Sequence, residues 1–344
     1  MTTETPKTSL RFVITDCDFG SFEIERSELH DFATLSVAQC TNEGQVIEAA
    51  SDADALIVQY APITEKVIRS LRSCKVISRY GVGIDMINLA AASRRGIYVC
   101  NVPDYCQEEV SDHACALILA LARKLKPLYR SVQQGEWDVR IARPIARLAG
   151  EHLGLLGFGK VARLVARKMR GFGMAISTFD PYVARGAFEN ESVTAVDFQQ
   201  ILEQSNILSL HLPLTPETRH ILGAKELQKL KKGAFLINTS RGQLIDENAL
   251  LEALEGGWLG GAALDVTEHE PISVKHPFLG FENVIITPHA AFYSETSIEE
   301  LRRQTIRAAV KVLKGESKGA GDTYCVVNQE EIESGAVRAR SVPS

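Results

Sequence analysis

Residues 154–162, with the sequence Gly-Leu-Leu-Gly-Phe-Gly-Lys-Val-Ala, constrain the fold of this chain more than any other segment. They follow an apolar stretch typical of a strand and run into residues 161–170, which have the pattern of a helix. Gly157 allows a tight turn, Gly159 lets a ligand approach the backbone, and Ala162 permits close packing of helix on strand. This order predicts a βαβ unit of a parallel sheet, with an anion site at the start of the helix.

Asp180 stands where a dinucleotide site needs an acid. It lies 18 residues after Ala162, near the spacing of a carboxylate that bonds the adenosine ribose hydroxyls. An acid there disfavours a 2′-phosphate, so the sequence predicts NAD, although Arg185 leaves some use of NADP open. The residues predicted to hold the dinucleotide at this turn are Gly157, Phe158, Gly159, Lys160, Val161 and Asp180.

Short apolar runs alternate with helical stretches along most of the chain. In the first half, with helices between them, strands are predicted at residues 10–15, 37–39, 55–59, 76–78 and 98–100. In the second half they are predicted at 153–156, 175–179, 207–211, 235–238, 261–265 and 284–287. The pattern predicts an α/β fold of two doubly wound parallel-sheet domains, since one compact core rarely grows to 344 residues.

Two further helices are predicted from composition and spacing. Residues 112–125 are rich in Ala, Leu and Ile, so we expect a helix that is buried or lies at a dimer interface, with Asp112 and His113 capping its start. Residues 297–313 also have helical spacing. Further on, Gly, Ser and charged residues dominate, which predicts a flexible tail over 331–344.

The bulk composition argues against several classes of protein. A net charge of −5 gives no basic footprint for nucleic acid. The polar first residues lack the apolar core of a secretory leader, and no run of about 18 apolar residues occurs. We therefore expect a cytoplasmic protein without a membrane partner. Seven cysteines, an odd number with no CxxC pair, argue against a disulfide framework and against a metal site.

Three polar stretches each follow a predicted strand of the second half. They are Asn-Thr-Ser-Arg-Gly, Leu-Asp-Val-Thr-Glu-His-Glu-Pro and Thr-Pro-His-Ala-Ala, at residues 238–242, 264–271 and 287–291. The carboxyl ends of strands in an open α/β sheet face the ligand crevice. We therefore expect Arg241, Glu270 and His289 to converge there.

These three side chains suit hydride transfer to a 2-keto acid. An arginine such as Arg241 holds a carboxylate, and a histidine such as His289 protonates the alkoxide that forms. Glu270 beside His289 favours the charged imidazolium and keeps it a proton donor at neutral pH. Taken singly, each would more often be a solvated charge or a loop residue. Together they predict an NAD-dependent enzyme that uses Arg241, Glu270 and His289 as catalytic residues.

The order of these motifs resembles that of the D-isomer-specific 2-hydroxyacid dehydrogenases, from about Leu10 to Gly315. The resemblance implies a Rossmann-type NAD-binding domain over residues 104–289. It also implies a flavodoxin-like substrate domain formed by residues 1–103 and 290–330, with a cleft between the two. A homodimer is implied as well, with the helix at 112–125 at the dimer contact.

The same resemblance implies further site residues. Residues 79–85 resemble the family's substrate loop, in which the amides of Val82 and Gly83 grip the carboxylate. Arg241 and His289 are implied to contact both cofactor and substrate. Further cofactor contacts are implied for His211, Leu212, Pro213, Thr218, Thr239, Ser240 and Asp265. Tyr60 is a candidate substrate contact, with ordinary packing as an equal alternative.

A narrower resemblance is visible at residues 100–103, 108–112 and 289–295, which look like the branch containing the C-terminal binding protein co-repressors. In that branch an arginine before the glycine loop contacts the substrate, which implies Arg79 here. An aromatic residue after the catalytic histidine lines the same pocket. The co-repressors carry Trp there and this chain carries Phe292, so the identity of the substrate stays open.

Two alternatives to a 2-keto acid reductase are kept. One is an NAD(H)-sensing, co-repressor-like scaffold with weak dehydrogenase activity, against which the complete catalytic set argues. The other is a phosphoglycerate dehydrogenase without a regulatory domain, since few residues follow Gly315. Glyoxylate, hydroxypyruvate and similar small 2-keto acids all remain possible substrates, and the physiological direction is open.

Overall fold

The computed structural model describes residues 9–183, 192–316 and 321–334. These residues form two compact units. Unit 1 contains the described residues up to Cys106 and those from Ser294 onward, whereas unit 2 runs from Gln107 to Tyr293. Arg185 and most of the predicted tail at 331–344 lie outside the described residues.

Unit 1 contains a mainly parallel sheet in the order β13-β5-β4-β3-β1-β2. The bounds of these strands are β1 Leu10–Ile14, β2 Ala33–Val37, β3 Ala55–Val58, β4 Val76–Arg79, β5 Tyr98–Asn101 and β13 Cys325–Val326. The order of the five parallel strands is that of flavodoxin-like folds. Only β13 departs from the predicted parallel arrangement, because it pairs with β5 in the antiparallel direction.

Helices cover the sheet of unit 1. Their bounds are α1 Glu23–Leu29, α2 Glu43–Ala50, α3 Glu65–Ser70, α4 Leu89–Arg94, α11 Glu295–Lys314 and α12 Gln329–Glu333. α11 begins at a capping box on Ser294 and ends at Gly315 with a left-handed φ of 66°. Its Arg302 makes a buried ion pair with Glu25 of α1, which also accepts a hydrogen bond from the Tyr80 hydroxyl. This pairing compensates the burial of both charges.

Unit 2 contains a parallel sheet in the order β12-β11-β10-β9-β6-β7-β8. Its strands are β6 His152–Leu156, β7 Ala175–Phe179, β8 Thr194–Ala195, β9 Ile207–Leu210, β10 Phe235–Asn238, β11 Gly261–Leu264 and β12 Val284–Ile286. The strand order reverses between β6 and β9, which is the switch point where doubly wound folds bind ligands. The prediction of an α/β fold with two doubly wound sheets is confirmed.

The helices of unit 2 pack their apolar faces on this sheet. Their bounds are α5 Gln107–Ala122, α6 Leu125–Gln133, α7 Lys160–Arg170, α8 Phe198–Gln204, α9 Ala224–Lys229 and α10 Glu247–Glu255. The core on one side contains Ile118, Leu153 and Val165, and that on the other contains Leu208, Leu236 and Leu250. All six side chains are fully buried. This packing holds the ends of the strands in place.

The predicted start of the helix at 112–125 is wrong. α5 begins at Gln107, where Glu108 and Glu109 place acids in the first turn and suit the positive end of the helix dipole. Asp112 and His113 therefore lie inside the helix and do not cap it. Glu108 and Glu109, and not Asp112, are the acids at the start of this helix.

The predicted end of this helix is wrong by three residues. α5 ends at Ala122, and Lys124 takes a left-handed conformation with a φ of 52°. A continuous helix would press the Pro127 ring against the backbone of the preceding turn, whereas the break puts Pro127 in the first turn of α6.

The strand predicted at 37–39 is also displaced, since β2 spans Ala33–Val37. This edge strand has a mixed, half-buried pattern, so its sequence shows little of the alternation that predicts a strand.

No helix among the described residues is long and apolar enough to cross a membrane. Within the same residues, no group of three or more His, Cys, Asp and Glu side chains is arranged to hold a metal ion.

Candidate active site

Three loops at the carboxyl ends of β10, β11 and β12 carry the predicted catalytic residues of unit 2. Arg241 follows β10, Glu270 lies in the loop after β11, and His289 follows β12. The three strands are neighbours in one parallel sheet, so their loops emerge at the same edge. The charge of Arg241 helps to lower the pKa of Glu270, which places these two side chains within electrostatic reach.

His289 and Glu270 form a hydrogen-bonded pair. Nδ1 of His289 lies 2.7 Å from Oε2 of Glu270, and the second carboxylate oxygen accepts from the Thr267 amide at 3.1 Å. Burial on its own raises the pKa of Glu270, but the hydrogen bond and charge of His289 more than offset it and lower that pKa. Glu270 is therefore an anion at neutral pH, and Nε2 of His289 points away from this bond.

Asp265 holds the turn that carries His289. Its Oδ1 accepts from the Ala290 amide at 2.8 Å and its Oδ2 from the Ala291 amide at 2.9 Å. The backbone carbonyl of Asp265 also accepts from the His289 amide at 2.8 Å. These bonds maintain His289 at a φ of 52°, a conformation that a non-glycine residue adopts only when its surroundings fix it.

Arg241 is positioned by its own loop. Its carbonyl accepts from the Asn238 side chain at 2.8 Å, and its guanidinium donates to the Ser240 carbonyl at 2.7 Å. Gly242 follows because a side chain there would meet the backbone of Thr267 at about 2 Å. This close approach brings the loop of Arg241 against the loop of Glu270.

Phe292 lies beside the catalytic histidine. Its ring centroid is 6.2 Å from that of His289, with the rings at 74° to each other. The aromatic residue that sequence comparison singled out is thus in edge-to-face contact with His289. Its part in substrate selection stays a prediction.

The glycine loop of unit 2 fits a dinucleotide phosphate. Gly157 has a φ of 91°, and a side chain there would come within 2.7 Å of the His211 carbonyl. A Cβ on Gly159 would meet no atom within 4 Å, so this side of the loop is open to a ligand. α7 starts directly after Gly159, which makes no side-chain cap, and a helix N-terminus of this kind suits an anion.

Asp180 contacts the glycine loop directly. Its carboxylate accepts from the Phe158 amide at 2.8 Å and from the Tyr182 amide at 2.9 Å. The acid thus fixes both its own turn and the glycine turn. Its predicted bond to the ribose is compatible with this arrangement, because each carboxylate oxygen accepts more than one hydrogen bond.

The remaining predicted cofactor residues line the ends of β9 and β10. Nε2 of His211 lies 2.9 Å from the Ser209 hydroxyl, and burial lowers the pKa of His211 to about 4, so the ring is neutral. Thr218 shapes the loop by donating to the Pro213 carbonyl at 2.7 Å. Leu212 packs against the core.

The buried hydroxyl of Thr239 indicates that a polar ligand binds at this edge of the sheet. Its hydroxyl oxygen is buried and has no hydrogen-bond partner among the described residues. The neighbouring Ser240 hydroxyl, in contrast, donates to the Leu210 carbonyl at 2.8 Å. Because buried hydroxyls are almost always bonded, the Thr239 oxygen fits a polar group of a bound cofactor.

In unit 1, the predicted substrate loop follows β4. Among the described residues, the amides of Val82 and Gly83 have no acceptor, so this backbone can bind an anion. A Cβ on Gly81 would lie 1.4 Å from the Arg79 guanidinium, which therefore occupies the space beside that glycine. The Tyr60 amide donates to Asp16, and the Tyr60 side chain is exposed.

Two residues at these sites were not identified from the sequence. Asn101 donates to the Val82 carbonyl at 2.6 Å and so supports the substrate loop. His113 lies 3.0 Å from the Thr287 hydroxyl, within the bonds that surround Asp265. The displaced start of α5 hid His113. Asn101 directly follows the strand predicted at 98–100, and its contact with the substrate loop has no local sequence pattern.

Comparison with known proteins identifies the family. Residues 115–291 match the model of the D-isomer specific 2-hydroxyacid dehydrogenase, NAD binding domain. The chain belongs to this family. As a member of the D-isomer-specific 2-hydroxyacid dehydrogenases, it is an NAD-dependent oxidoreductase that interconverts 2-keto and 2-hydroxy acids.

Similar proteins include several enzymes of this family. The chain is 39% identical to a glyoxylate reductase of Korarchaeum cryptofilum over 294 residues, which cover 84% of this chain and 86% of that one. It is 37% identical to a D-3-phosphoglycerate dehydrogenase of Methanocaldococcus jannaschii over 84% of this chain but only 55% of the relative. A D-lactate dehydrogenase from Aquifex aeolicus, solved with NAD and lactic acid, has a TM-score of 0.83 at 28% identity and covers 92% of this chain and 99% of its own.

These findings confirm the predicted family, enzyme class and cofactor. The narrower resemblance to the co-repressor branch gains no support from the relatives described, which are glyoxylate reductases and phosphoglycerate dehydrogenases. The roles assigned to individual site residues, and the predicted division of the chain between NAD and substrate, stay predictions.

Proposed function

We propose that this protein reduces glyoxylate or a similarly small 2-keto acid, such as hydroxypyruvate, to the D-2-hydroxy acid with NADH. The observation that carries the proposal is the His289–Glu270 pair at 2.7 Å, beside Arg241, in a unit whose sequence matches an NAD-binding domain. Relatives named glyoxylate reductase at 39% and 37% identity support the choice of substrate.

Each catalytic group has a task in this reaction. NADH, when bound, supplies the hydride. Arg241 donates hydrogen bonds to the carboxylate of the keto acid, and Nε2 of His289 gives its proton to the carbonyl oxygen as that oxygen becomes an alkoxide. Glu270 stabilises the imidazolium before the transfer and orients the ring through Nδ1. One proton thus leaves His289 for each hydroxy acid formed, and solvent returns it.

Several residues of unit 1, and Phe292 of unit 2, complete the proposal as substrate contacts. The amides of Val82 and Gly83 are proposed to bind the substrate carboxylate, which suits their lack of an acceptor among the described residues. Arg79 and Tyr60 are proposed as further contacts, and Phe292 as the residue that limits substrate size.

Gly157, Phe158, Gly159, Lys160 and Val161 are proposed to hold the pyrophosphate, and Asp180 the adenosine ribose. His211, Leu212, Pro213 and Thr218 are proposed beside the adenosine, and Thr239, Ser240 and Asp265 beside the nicotinamide. Arg185, outside the described residues, leaves the strictness of NAD over NADP to experiment. Asp180 supports NAD, since a carboxylate repels a 2′-phosphate.

We also propose a homodimer. α6 and the residues up to the short 3-10 helix Val139–Ala142 expose large apolar side chains in unit 2, namely Leu125, Tyr129, Val132, Trp137, Val139 and Ile141. These side chains lie close together in the sequence, and exposed apolar patches typically mark a protein interface. A second copy of the chain fits this surface, because homodimers with a two-fold axis are the commonest soluble assemblies.

A phosphoglycerate dehydrogenase is the second candidate. It is favoured by the 37% identity to such enzymes, of whose length this chain spans only about half. In that case the preferred keto acid would carry a phosphate.

The experiment that tests the proposal is the loss of NADH absorbance with purified protein over a panel of keto acids. The panel contains glyoxylate, hydroxypyruvate, pyruvate, 2-oxoglutarate and 3-phosphohydroxypyruvate, with NADPH as the alternative cofactor. We expect the highest kcat/KM with glyoxylate or hydroxypyruvate and NADH.

Two results would contradict this expectation. A clear preference for the phosphorylated substrate would establish the second candidate. Absence of turnover on every keto acid, with NADH binding demonstrated by fluorescence, would instead favour an NAD(H)-sensing scaffold.

A further inference from the structure

His113 is a histidine of unit 2 that lies close to the proposed catalytic residues but has no role in the proposed reaction. It lies on α5, with a quarter of its side chain exposed, and faces the ends of β11 and β12. Its Nε2 is 3.0 Å from Oγ1 of Thr287 and 3.5 Å from Oδ1 of Asp265. The other described contacts of the Asp265 carboxylate are the Thr287 hydroxyl and the backbone amides of Ala290 and Ala291.

The protons in this cluster can be assigned from the distances. Asp265 is buried, with its side chain 1% exposed, and its Oδ1 accepts the Thr287 hydroxyl proton at 2.6 Å. A hydroxyl has one proton, so Thr287 has none left for His113. The bond between Nε2 of His113 and Oγ1 of Thr287 is therefore made by an N–H of the histidine.

The chain of bonds ends at the proposed proton donor. Oδ1 of Asp265 also accepts the Ala290 amide and Oδ2 accepts the Ala291 amide, the two residues that directly follow His289. These bonds maintain the turn in which His289 has its left-handed φ of 52°. An Asp265 carboxylate that rotated would release both amides and reorient the His289 ring.

We propose that His113 is a positioning residue for His289. Through the Thr287 hydroxyl, its Nε2–H fixes the orientation of the Asp265 carboxylate, which in turn holds the Ala290 and Ala291 amides. His113 does not touch the reacting atoms in this scheme. The inference rests on the proposed function for its effect on rate, but its effect on the turn is independent of any substrate.

The test compares three substitutions at and near this chain of bonds. His113→Leu removes the N–H, His113→Gln keeps a side-chain N–H donor at a similar reach, and Thr287→Val removes the middle hydroxyl with little change of shape. Asp112→Ala is the matched control, since Asp112 lies next to His113 on α5 but only pairs with Lys168 at the surface.

The first readout is steady-state kinetics with NADH and the best keto acid. We expect His113→Leu and Thr287→Val each to lower kcat by about 10- to 100-fold, as small displacements of a catalytic group do, with a much smaller change in KM. His113→Gln should recover most of this loss. The double variant His113→Leu/Thr287→Val should be no slower than either single variant, because both break the same chain of bonds.

The second readout is amide hydrogen exchange at Ala290 and Ala291. We expect exchange to quicken by about 2- to 10-fold in His113→Leu, the size expected for a weakened hydrogen bond, and to stay unchanged in Asp112→Ala. This measurement needs no turnover. If the wild-type protein reduces no keto acid, the proposed function fails, and the exchange rates still decide whether His113 holds the turn.

Two outcomes would overturn the inference. Wild-type kcat together with wild-type exchange in His113→Leu would show that Asp265 is oriented without His113. Equal losses in His113→Leu and His113→Gln, accompanied by a lower Tm, would show that the imidazole acts by packing alone.

Discussion

His289 combines a strained backbone with a carboxylate partner, and another histidine of the same unit does so too. His220 also has a φ of 52°, and its Nε2 lies 2.6 Å from Oε1 of Glu268. The two residues differ in position, because only His289 follows a strand end beside Arg241. His220 is therefore a close internal control for any substitution of His289.

His289→Ala should lower kcat by about 100-fold or more, the contribution usual for general acid catalysis, while NADH affinity stays close to that of the wild type. The measurement is steady-state reduction together with a fluorescence titration of NADH. His220→Ala removes a similar pair from a similar backbone and should leave kcat nearly unchanged. Equal losses in the two variants would assign the effect to the turn and not to proton donation.

Glu270→Gln should lower kcat by about 10- to 100-fold. The Glu270 carboxylate holds the His289 ring through Nδ1, and small displacements of a catalytic group cost rates of this size. The measurement is steady-state reduction at pH 7. The control is Glu268→Gln, which removes the partner of His220 and should leave kcat nearly unchanged. A wild-type kcat in Glu270→Gln would remove Glu270 from the mechanism.

Single functional residues could be predicted from the sequence where they follow the end of a strand, because that position is visible in the local pattern. Arg241, Glu270 and His289 were found in this way. His113 and Asn101 were missed, since their contacts join segments far apart in the chain. The unpartnered hydroxyl of Thr239 likewise depends on the surrounding packing and has no pattern of its own.

In the glycine loop between β6 and α7, Gly157 is needed for the backbone conformation, whereas Gly159 leaves space for a ligand. A side chain on Gly157 would be strained by its φ of 91° and would press on the His211 carbonyl, whereas one on Gly159 would meet no atom. Gly157→Ala should therefore destabilise unit 2 by about 1–3 kcal/mol. Gly159→Ala should leave the Tm unchanged and weaken NADH binding by roughly tenfold, or about 1.4 kcal/mol.

Thermal unfolding and NADH titration of both variants check this distinction. A lower Tm in Gly159→Ala, or wild-type NADH affinity in that variant, would contradict the assignment of the open side of the loop to the pyrophosphate.

The contact between α1 and α11 predicts a pH-dependent stability. Burial on its own raises the pKa of Glu28, but hydrogen bonds from Arg307 and Arg303 outweigh it and lower that pKa from 4.5. A lowered pKa means that the stabilisation is present above pH 4.5 and is lost as the pH falls further. Glu28→Gln should thus cost about 1 kcal/mol at pH 7.

The same substitution should cost almost nothing once the pH is well below 4.5, which denaturant unfolding at several pH values would measure. A constant difference between wild type and Glu28→Gln at every pH would show that the side chain acts by its shape and not by its charge. Glu299→Gln is a suitable control, because its partner Arg303 keeps Glu28.

The elements themselves were predicted well where the apolar pattern was strong, as for β6, β7 and β10. The errors occur where the apolar pattern does not extend to the end of the helix or strand. α5 has apolar residues in its later turns, so its polar first turn was read as loop, and the break at Lys124 depends on a backbone conformation that composition does not encode. β2 is an edge strand with a mixed pattern, and β13 has only two residues.

For the whole molecule, the exposed apolar run on and after α6 predicts a dimer. Tyr129, Val139 and Trp137 have 66%, 74% and 91% of their surface exposed, which is costly for a monomer. Sedimentation velocity should give a dimer for the wild type and a monomer for Tyr129→Glu/Trp137→Ser. Tyr182→Ser is the control, since Tyr182 is 93% exposed but lies away from this segment of the sequence. A monomeric wild type would contradict the proposal.

The discontinuity of unit 1 affects the order in which the chain is made. β1 to β5 leave the ribosome early, yet α11, which supplies Arg302 to Glu25, follows only after the whole of unit 2. At roughly 5–20 residues per second this interval lasts about 10–40 seconds. During it the nascent chain exposes the apolar surface around Phe12 and Ile57 that α11 later covers with Leu301 and Ile306. We therefore expect newly synthesised protein to be most prone to aggregation just before α11 emerges.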